Sequence, residues 1–233
     1  MNTANASRRP WARRLVVLGS SVALATGFVG FLHTKTARPL LAQVFGLHCP
    51  FSAGKLSPAR REALRRDAFH VTSRPGAPAP SNDALGFPLG KWARADVAAW
   101  ASERHVSCKD DSSGASVDCD GVTAADVNET GNEHGSLYFR FDPSNRLVAV
   151  LRLVRVPNAD RAGTLANDER ASLASKLGAP TLSRGEPTAA YLATGTLAQA
   201  RVEYRFADFA AIASATNLGH DGYLLTEEAQ IAD

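Results

Sequence analysis

Two cysteines, Cys108 and Cys119, carry the clearest chemistry in this 233-residue chain. Asp110-Asp111-Ser112-Ser113-Gly114 lies between them, rich in turn formers and flanked by short strand patterns. If the turn centres on Ser113-Gly114, the two cysteines fall opposite each other on neighbouring antiparallel strands. Opposed residues have Cβ atoms about 4.5–5.5 Å apart, and a disulfide needs about 3.5–4.5 Å. A Cys108–Cys119 disulfide is therefore expected at a close, non-hydrogen-bonded position, with two buried free thiols as the other reading. The third cysteine, in His48-Cys49-Pro50, sets a thiol beside an imidazole. That pairing suits a reactive thiolate; an unpaired inert thiol or a link to a second copy is the plainer reading.

Other candidate chemistry is scattered. His33, His48, His70, His105, His134 and His220 show no metal-ligand spacing to one another or to a cysteine, and read as structural or solvated. No Gly-rich phosphate loop, Cys-x-x-Cys or Gly-x-Ser-x-Gly occurs. The Asp120–His134 loop carries Asp120, Asp126, Asn128, Glu129, Asn132 and Glu133, oxygen ligands of the kind Ca²⁺ prefers, but without the spacing of a calcium loop. A solvated acidic loop is the expectation. Asn128-Glu129-Thr130 fits a glycosylation sequon. A catalytic or ligand site would have to form in three dimensions, by convergence of His105, His134, Glu203, Asp208 or His220 in a deep pocket. No cofactor and no metal is expected.

The elements that would position these residues divide the chain. Residues 1–82 hold 12 Lys/Arg against 2 Asp/Glu, and residues 83–233 hold 14 against 21. An acidic head argues against nucleic-acid binding, because phosphate contacts need a positive surface. Within the basic third, residues 1–14 form a tail with Arg8, Arg9, Arg13 and Arg14. The uncharged run 15–32 that follows is long enough to span a bilayer. The arginines place the tail in the cytoplasm. A cleaved signal peptide, with Ala23-Leu24-Ala25 as its cleavage site, is the alternative. Both readings put the remainder outside the cytoplasm: a single-pass protein of the inner membrane with a periplasmic head, or a secreted one.

Residues 33–82 read as a basic stalk. Leu40, Leu41, Val44 and Leu47 have helical spacing, and Ser57-Pro58 is a helix start followed by Arg60, Arg61, Arg65 and Arg66. Those arginines read as a solvated face or as a helix lying on an anionic membrane. Pro-rich residues 73–81 read as a linker, and the boundary falls at Ser81–Asn82.

The head, residues 83–233, reads as α+β in two units, 83–157 and 164–233. Leu85-Gly-Phe-Pro-Leu-Gly90 leads into a helix with Ala93, Val97, Trp100 and Ala101 on one face. Strands are expected at His105–Lys109, Ala115–Val122, Ser136–Phe141 and Leu147–Val156, the last central and covered on much of both sides. In the second unit Asn167 or Asp168 is expected to cap a helix with Leu173, Ala174 and Leu177 on its apolar face, Gly178 closing it in the left-handed conformation. Strands are then expected at Thr188–Ala193, Ala200–Phe206, Ala210–Thr216 and Gly222–Glu227.

The glycine-punctuated lead-in (Leu85, Gly86, Leu89, Gly90), the helix with Asp96-Val97 and the hairpin sheet resemble the small periplasmic modules of SmpA/OmlA-type outer-membrane assembly lipoproteins. Tandem pairs of such units resemble the β-lactamase inhibitor protein. The resemblance implies a sheet with helices on one face and a binding or scaffolding role. It supplies no functional residue, and the chain departs from the lipoprotein pattern in lacking a lipid-attachment cysteine. The functional expectation is a non-catalytic module, tethered to the membrane, that binds or helps assemble an envelope protein. A small-ligand carrier or hydrolase-like enzyme is the alternative.

Overall fold

The computed structural model describes residues 57–74, 76–111, 114–127 and 131–232. The apolar run 15–32, Cys49 and the Asn128–Thr130 sequon lie outside the described residues. Among the described residues, no helix is long and apolar enough to cross a membrane.

Helix α1, Pro58–Thr72, starts where the Ser57-Pro58 pair expects it, and the Ser57 hydroxyl accepts from the Arg60 N–H at 3.3 Å. Its arginines do not share one environment. Arg60 and Arg66 are exposed, whereas Arg65 is buried: it clasps Glu62 and donates to the carbonyls of Ile231 and Ala232 at the chain's far end. This helix thus belongs to the same compact unit as the head, Leu56–Asp233.

A two-strand ribbon, β1 (Asp83–Ala84) and β2 (Phe87–Pro88), follows around Leu85-Gly86. Both turn residues have positive φ, 54° and 82°, and Gly86 takes the second at no steric cost. The ribbon delivers Phe87, which is 1% exposed, to the core. Helix α2, Arg94–Glu103, is capped by the Asp96 carboxylate, which accepts from the Ala93 N–H at 2.7 Å. Val97, Trp100 and Ala101 are its buried side, as their spacing predicts.

Strands β3 (Ser107–Asp110), β4 (Ser116–Thr123), β5 (His134–Phe141) and β6 (Leu147–Val156) form an antiparallel meander. Helix α3 (Ala159–Leu177), β7 (Leu182–Arg184), a helical turn α4 (Ala189–Leu192), β8 (Gln199–Arg205), β9 (Phe209–Asn217) and β10 (Tyr223–Ile231) complete the chain. The eight strands make one sheet in the order β3-β4-β5-β6-β10-β9-β8-β7. Two meanders therefore meet along their last strands, β6 against β10, and β6 is central.

The fold is α+β with one large antiparallel sheet. In the first meander the observed strands overlap each expectation, and Leu147–Val156 has the expected bounds. The second half differs in three places. Helix α3 begins at Ala159, well before Asn167, because the Asn158 side chain takes the cap and accepts from the Arg161 N–H at 2.9 Å. Asn167 sits inside the helix and donates to Pro187 O at 2.6 Å. The expected strand Thr188–Ala193 is the turn α4: Thr188 caps it, accepting from the Tyr191 N–H, and fully buried Leu192 anchors it. Gly163 lets that turn approach α3, since a Cβ there would lie 2.9 Å from the Ala189 nitrogen. The edge strand β7, three residues long, has too little pattern to be read from sequence. Gly178 does end α3 at positive φ, 83°, but with ψ −148° rather than in the left-handed helical well.

Candidate functional site

Cross-strand register assigns every strand residue to a face, because side chains alternate along a strand. Helices α2, α3 and α4 share one face. There Trp100, Phe139, Leu137, Val150, Leu173, Leu177 and Leu192 are buried. On the same face, Cys108 and Cys119 are register partners on β3 and β4 with Cα atoms 4.0 Å apart, joined by a disulfide. The short Cα separation is that of a non-hydrogen-bonded pair, as the turn argument expected.

The opposite face carries Tyr138 on β5, Leu151 and Leu153 on β6, Leu224 on β10 and Ile212 on β9, all partly exposed. Register sets Glu228 between Leu151 and Ile212, Thr226 beside Leu153 and Arg155 beside Leu224, so apolar and polar side chains are interspersed over the central strands. On the β4 side stand Asp118 and exposed Asp120; on the β8 side stand Arg201, Glu203 and Arg205. Side-chain hydrogen bonds knit the polar positions, with the Ser214 and Thr226 hydroxyl oxygens 2.8 Å apart and the Ser136 hydroxyl donating to the Asp120 carboxylate at 2.9 Å.

Glu203 is 4% exposed and lies between the two arginines two residues away on either side. Arg201 donates to one carboxylate oxygen at 2.7 Å and Arg205 to the other. Burial pushes the Glu203 carboxyl up, but the two guanidinium hydrogen bonds outweigh it and hold it below its ordinary value. Asp118 shifts the opposite way: burial, then the charges of Asp111 and Asp120, raises it. This face thus has a basic flank with its carboxylate held in the charged form by Arg201 and Arg205 and an acidic flank where Asp111 and Asp120 add to the effect of burial on Asp118.

The five residues whose convergence would have marked a catalytic pocket do not converge. His105, His134 and His220 are exposed; Glu203 is locked by its arginines; Asp208 accepts from the Ala79 N–H at 2.8 Å. The acidic loop also has protein donors. Asp126 accepts from the Thr123 hydroxyl at 2.7 Å and its N–H at 2.8 Å, which together with Arg104 and His134 pulls its carboxyl down against the effect of burial. Glu133 is held down by the hydrogen bond from Arg161 on α3. Among the described residues no cluster of three or more His, Cys, Asp or Glu is placed to hold a metal ion.

A cavity of about 310 Å³ opens on the helical face, between α3 and strands β6, β10, β9 and β8. None of the five residues lines it. It exists because the strand residues beneath α3 are small: Ala213 and Ala215 on β9 and Ala200 on β8. Arg152 and Glu227, register partners on β6 and β10 and 8% and 7% exposed, form part of its lining. No sequence signal announced this pair, since a lone Arg in a Val/Leu-rich strand and a Glu-Glu dipeptide both read as surface positions.

Against known protein families, curated proteins and solved structures, the chain finds no match. The functional reading therefore rests on the two faces of the sheet.

Proposed function

We propose that this chain is a non-catalytic protein-binding module of the bacterial envelope, and that it engages its partner through the sheet face opposite the helices. One observation carries the reading: Tyr138, Leu151, Leu153, Ile212 and Leu224 are partly exposed apolar side chains on one face, interspersed with Arg155, Thr226 and Glu228 and flanked by further polar and charged side chains. Non-obligate protein interfaces mix apolar and aromatic side chains with polar and charged ones in this way. The charged flanks also constrain the partner. Its complementary surface is basic where it meets Asp118 and Asp120 and acidic where it meets Arg201 and Arg205, since unlike potentials steer and register an encounter.

We read the two halves of the sheet as tandem units that resemble the β-lactamase inhibitor protein, behind an N-terminal anchor at residues 15–32. The head then lies in the periplasm. The disulfide supports an oxidising compartment, and the arginine cluster before the apolar run supports the orientation. N-terminal sequencing of the mature protein tests the anchor: an intact N-terminus is expected, and a chain starting at Thr26 would replace the anchor with a cleaved signal. For the interface, Leu153→Arg and Leu224→Arg are expected to abolish partner capture from native membranes while leaving the melting temperature within a degree or two. Capture that survives both substitutions would remove the face from consideration.

A further inference from the structure

Helix α3 is packed at its two ends and bridges a space in between. Its buried residues are Ala162 and Gly163 near the start and Leu173 and Leu177 near the finish. The two ends belong to different parts of the core. Ala162 clusters with Val154, Leu192, Ala200 and Ala215, whereas Leu173 and Leu177 belong to the larger cluster that holds Val202 and Ala213. The cavity lies where these clusters meet: Val154, Ala200 and Ala215 of the first and Val202 and Ala213 of the second line it.

Bulk is withheld from both sides of that space. Positions 162, 166, 169, 173 and 177 of α3 follow one another at helical spacing along one side of the helix. The middle two are Ala166 and Glu169, both partly exposed and both lining the cavity. Below them the sheet offers alanines, with Ala200 opposite Ala215 and Ala213 next along the same face. Both ends of α3 are anchored, and Asn167 donates to Pro187 O at 2.6 Å, so the helix cannot settle onto the alanines. Protein interiors are normally close-packed, and a void forfeits the contacts its lining could make. Packing alone therefore does not explain a space left open from helix and sheet together.

The charged side chains in the lining narrow what could fill it. Arg201 donates to Glu203, and Glu133 accepts from Arg161. Arg152, Glu169 and Glu227 each have an interaction within the protein as well. Asp168 is exposed and Arg170 partly so, and a pair formed with a solvated charge is worth little. A charged ligand would thus give up water and gain little in return. An uncharged apolar molecule gains burial against Val154, Leu165, Val202 and Leu225 and makes the contacts that the alanines leave unmade. A dry apolar cavity of about 150 Å³ holds benzene, so about 310 Å³ has room for two fused rings or a similarly compact hydrocarbon.

We propose that the cavity beneath α3 binds an uncharged apolar molecule of two-ring bulk, seated between the middle of the helix and Ala200, Ala213 and Ala215. The site lies on the opposite face from the interface proposed above and does not depend on it.

Protein-observed methyl NMR of the full chain in nanodiscs tests this. The probes are naphthalene, 2-naphthoate and 2-naphthylmethylamine, which share an apolar body and differ in charge, with free probe measured across a dialysis membrane. Naphthalene is expected to shift the methyls of Val154, Leu165, Val202 and Leu225 and to leave those of Leu151 and Leu224, on the other face, unmoved. It is expected to bind about tenfold more tightly than either charged analogue. Ala213→Leu fills the space from the sheet and Ala166→Leu from the helix, and each is expected to abolish the shifts; the helix variant decides if the sheet variant does not fold. Cavity methyls that do not move, a charged analogue that binds as well as naphthalene, or shifts that survive a folded filling variant would overturn the proposal. Leu153→Arg is expected to leave naphthalene affinity unchanged, so failure of the cavity and failure of the interface are separately visible.

Discussion

The two halves of the sheet share a plan, helix followed by a four-strand meander, and differ in what fills the space between. Under α2 the filling is aromatic. Phe87, Trp100 and Phe139 meet edge to face with ring centroids 4.9–5.6 Å apart, and Trp92 adds a fourth ring against Phe87. The Arg94 guanidinium lies 4.6 Å from the centre of the Phe141 ring. Under α3 the β9 residues after Phe209 are Ala211, Ala213 and Ala215, and a cavity remains. Close packing fixes the first half in one arrangement. The second half gives up packing energy and keeps a space lined by charge. Side-chain volume, more than topology, separates the closely packed half from the half that keeps a cavity.

The contrast breaks first at its aromatic end. Trp100 is 5% exposed and touches two other rings, so Trp100→Ala is expected to destabilise the fold by about 3–5 kcal/mol, the range for large buried aromatics. Urea unfolding measures it, and a loss under about 1 kcal/mol would mean that the first half is not the tightly packed one. Next comes the disulfide on the same half. Its short loop is expected to contribute about 3 kcal/mol by the chain-entropy account, so Cys108→Ser should lower stability by about that amount and make it insensitive to reductant. Two alkylatable thiols in the native protein would contradict the pairing. On the second half the sign reverses: Ala213→Leu fills existing space and is expected to raise stability by about 0.5–2 kcal/mol, as cavity filling commonly does. A loss of several kcal/mol would show that the space is needed by the packing.

The smallest effect is acid sensitivity. Glu203, Glu133 and Asp126 all have folded pKa values below their ordinary ones. Each therefore contributes stability that is fully present above its ordinary value, 4.5 for the glutamates and 3.8 for the aspartate, and that is lost as pH falls through the lowered folded value. Asp118 works against them: its raised value costs stability at neutral pH, and protonation relieves that cost. Three against one, the melting temperature is expected to fall below about pH 4.5, and Glu203→Gln with Glu133→Gln should flatten the slope. An unchanged slope would contradict the assigned partners.

Legibility in the sequence followed the range of the forces involved. Local signals were readable: the Ser57-Pro58 start, the Val97–Trp100–Ala101 face, and β6 with its two loaded faces. The cysteine register was readable too, because a short turn fixes which residues oppose each other. Where two local signals competed, tertiary contacts chose. Asn158 and Asn167 are both plausible caps, and the longer α3 prevailed because Asn167 bonds to the Pro187 carbonyl. Tyr191-Leu192 has strand propensity, yet Thr188 caps a helical turn there and Leu192 buries under α3. The partly exposed face opposite α2, α3 and α4 was legible only in part, through alternation in β8 and β5. The cavity was not, since it depends on where a helix lies over alanines distant in the chain.

The proposed protein-binding function turns on the face opposite α2, α3 and α4. A photoactivatable residue placed at Leu153 on that face, and at exposed Ser175 on α3 as the control, measures it in native membranes. The expected result is a discrete protein crosslink from position 153 that Leu224→Arg abolishes, with none from position 175. Equal labelling from both positions, or a crosslink from Ser175 alone, would contradict the account.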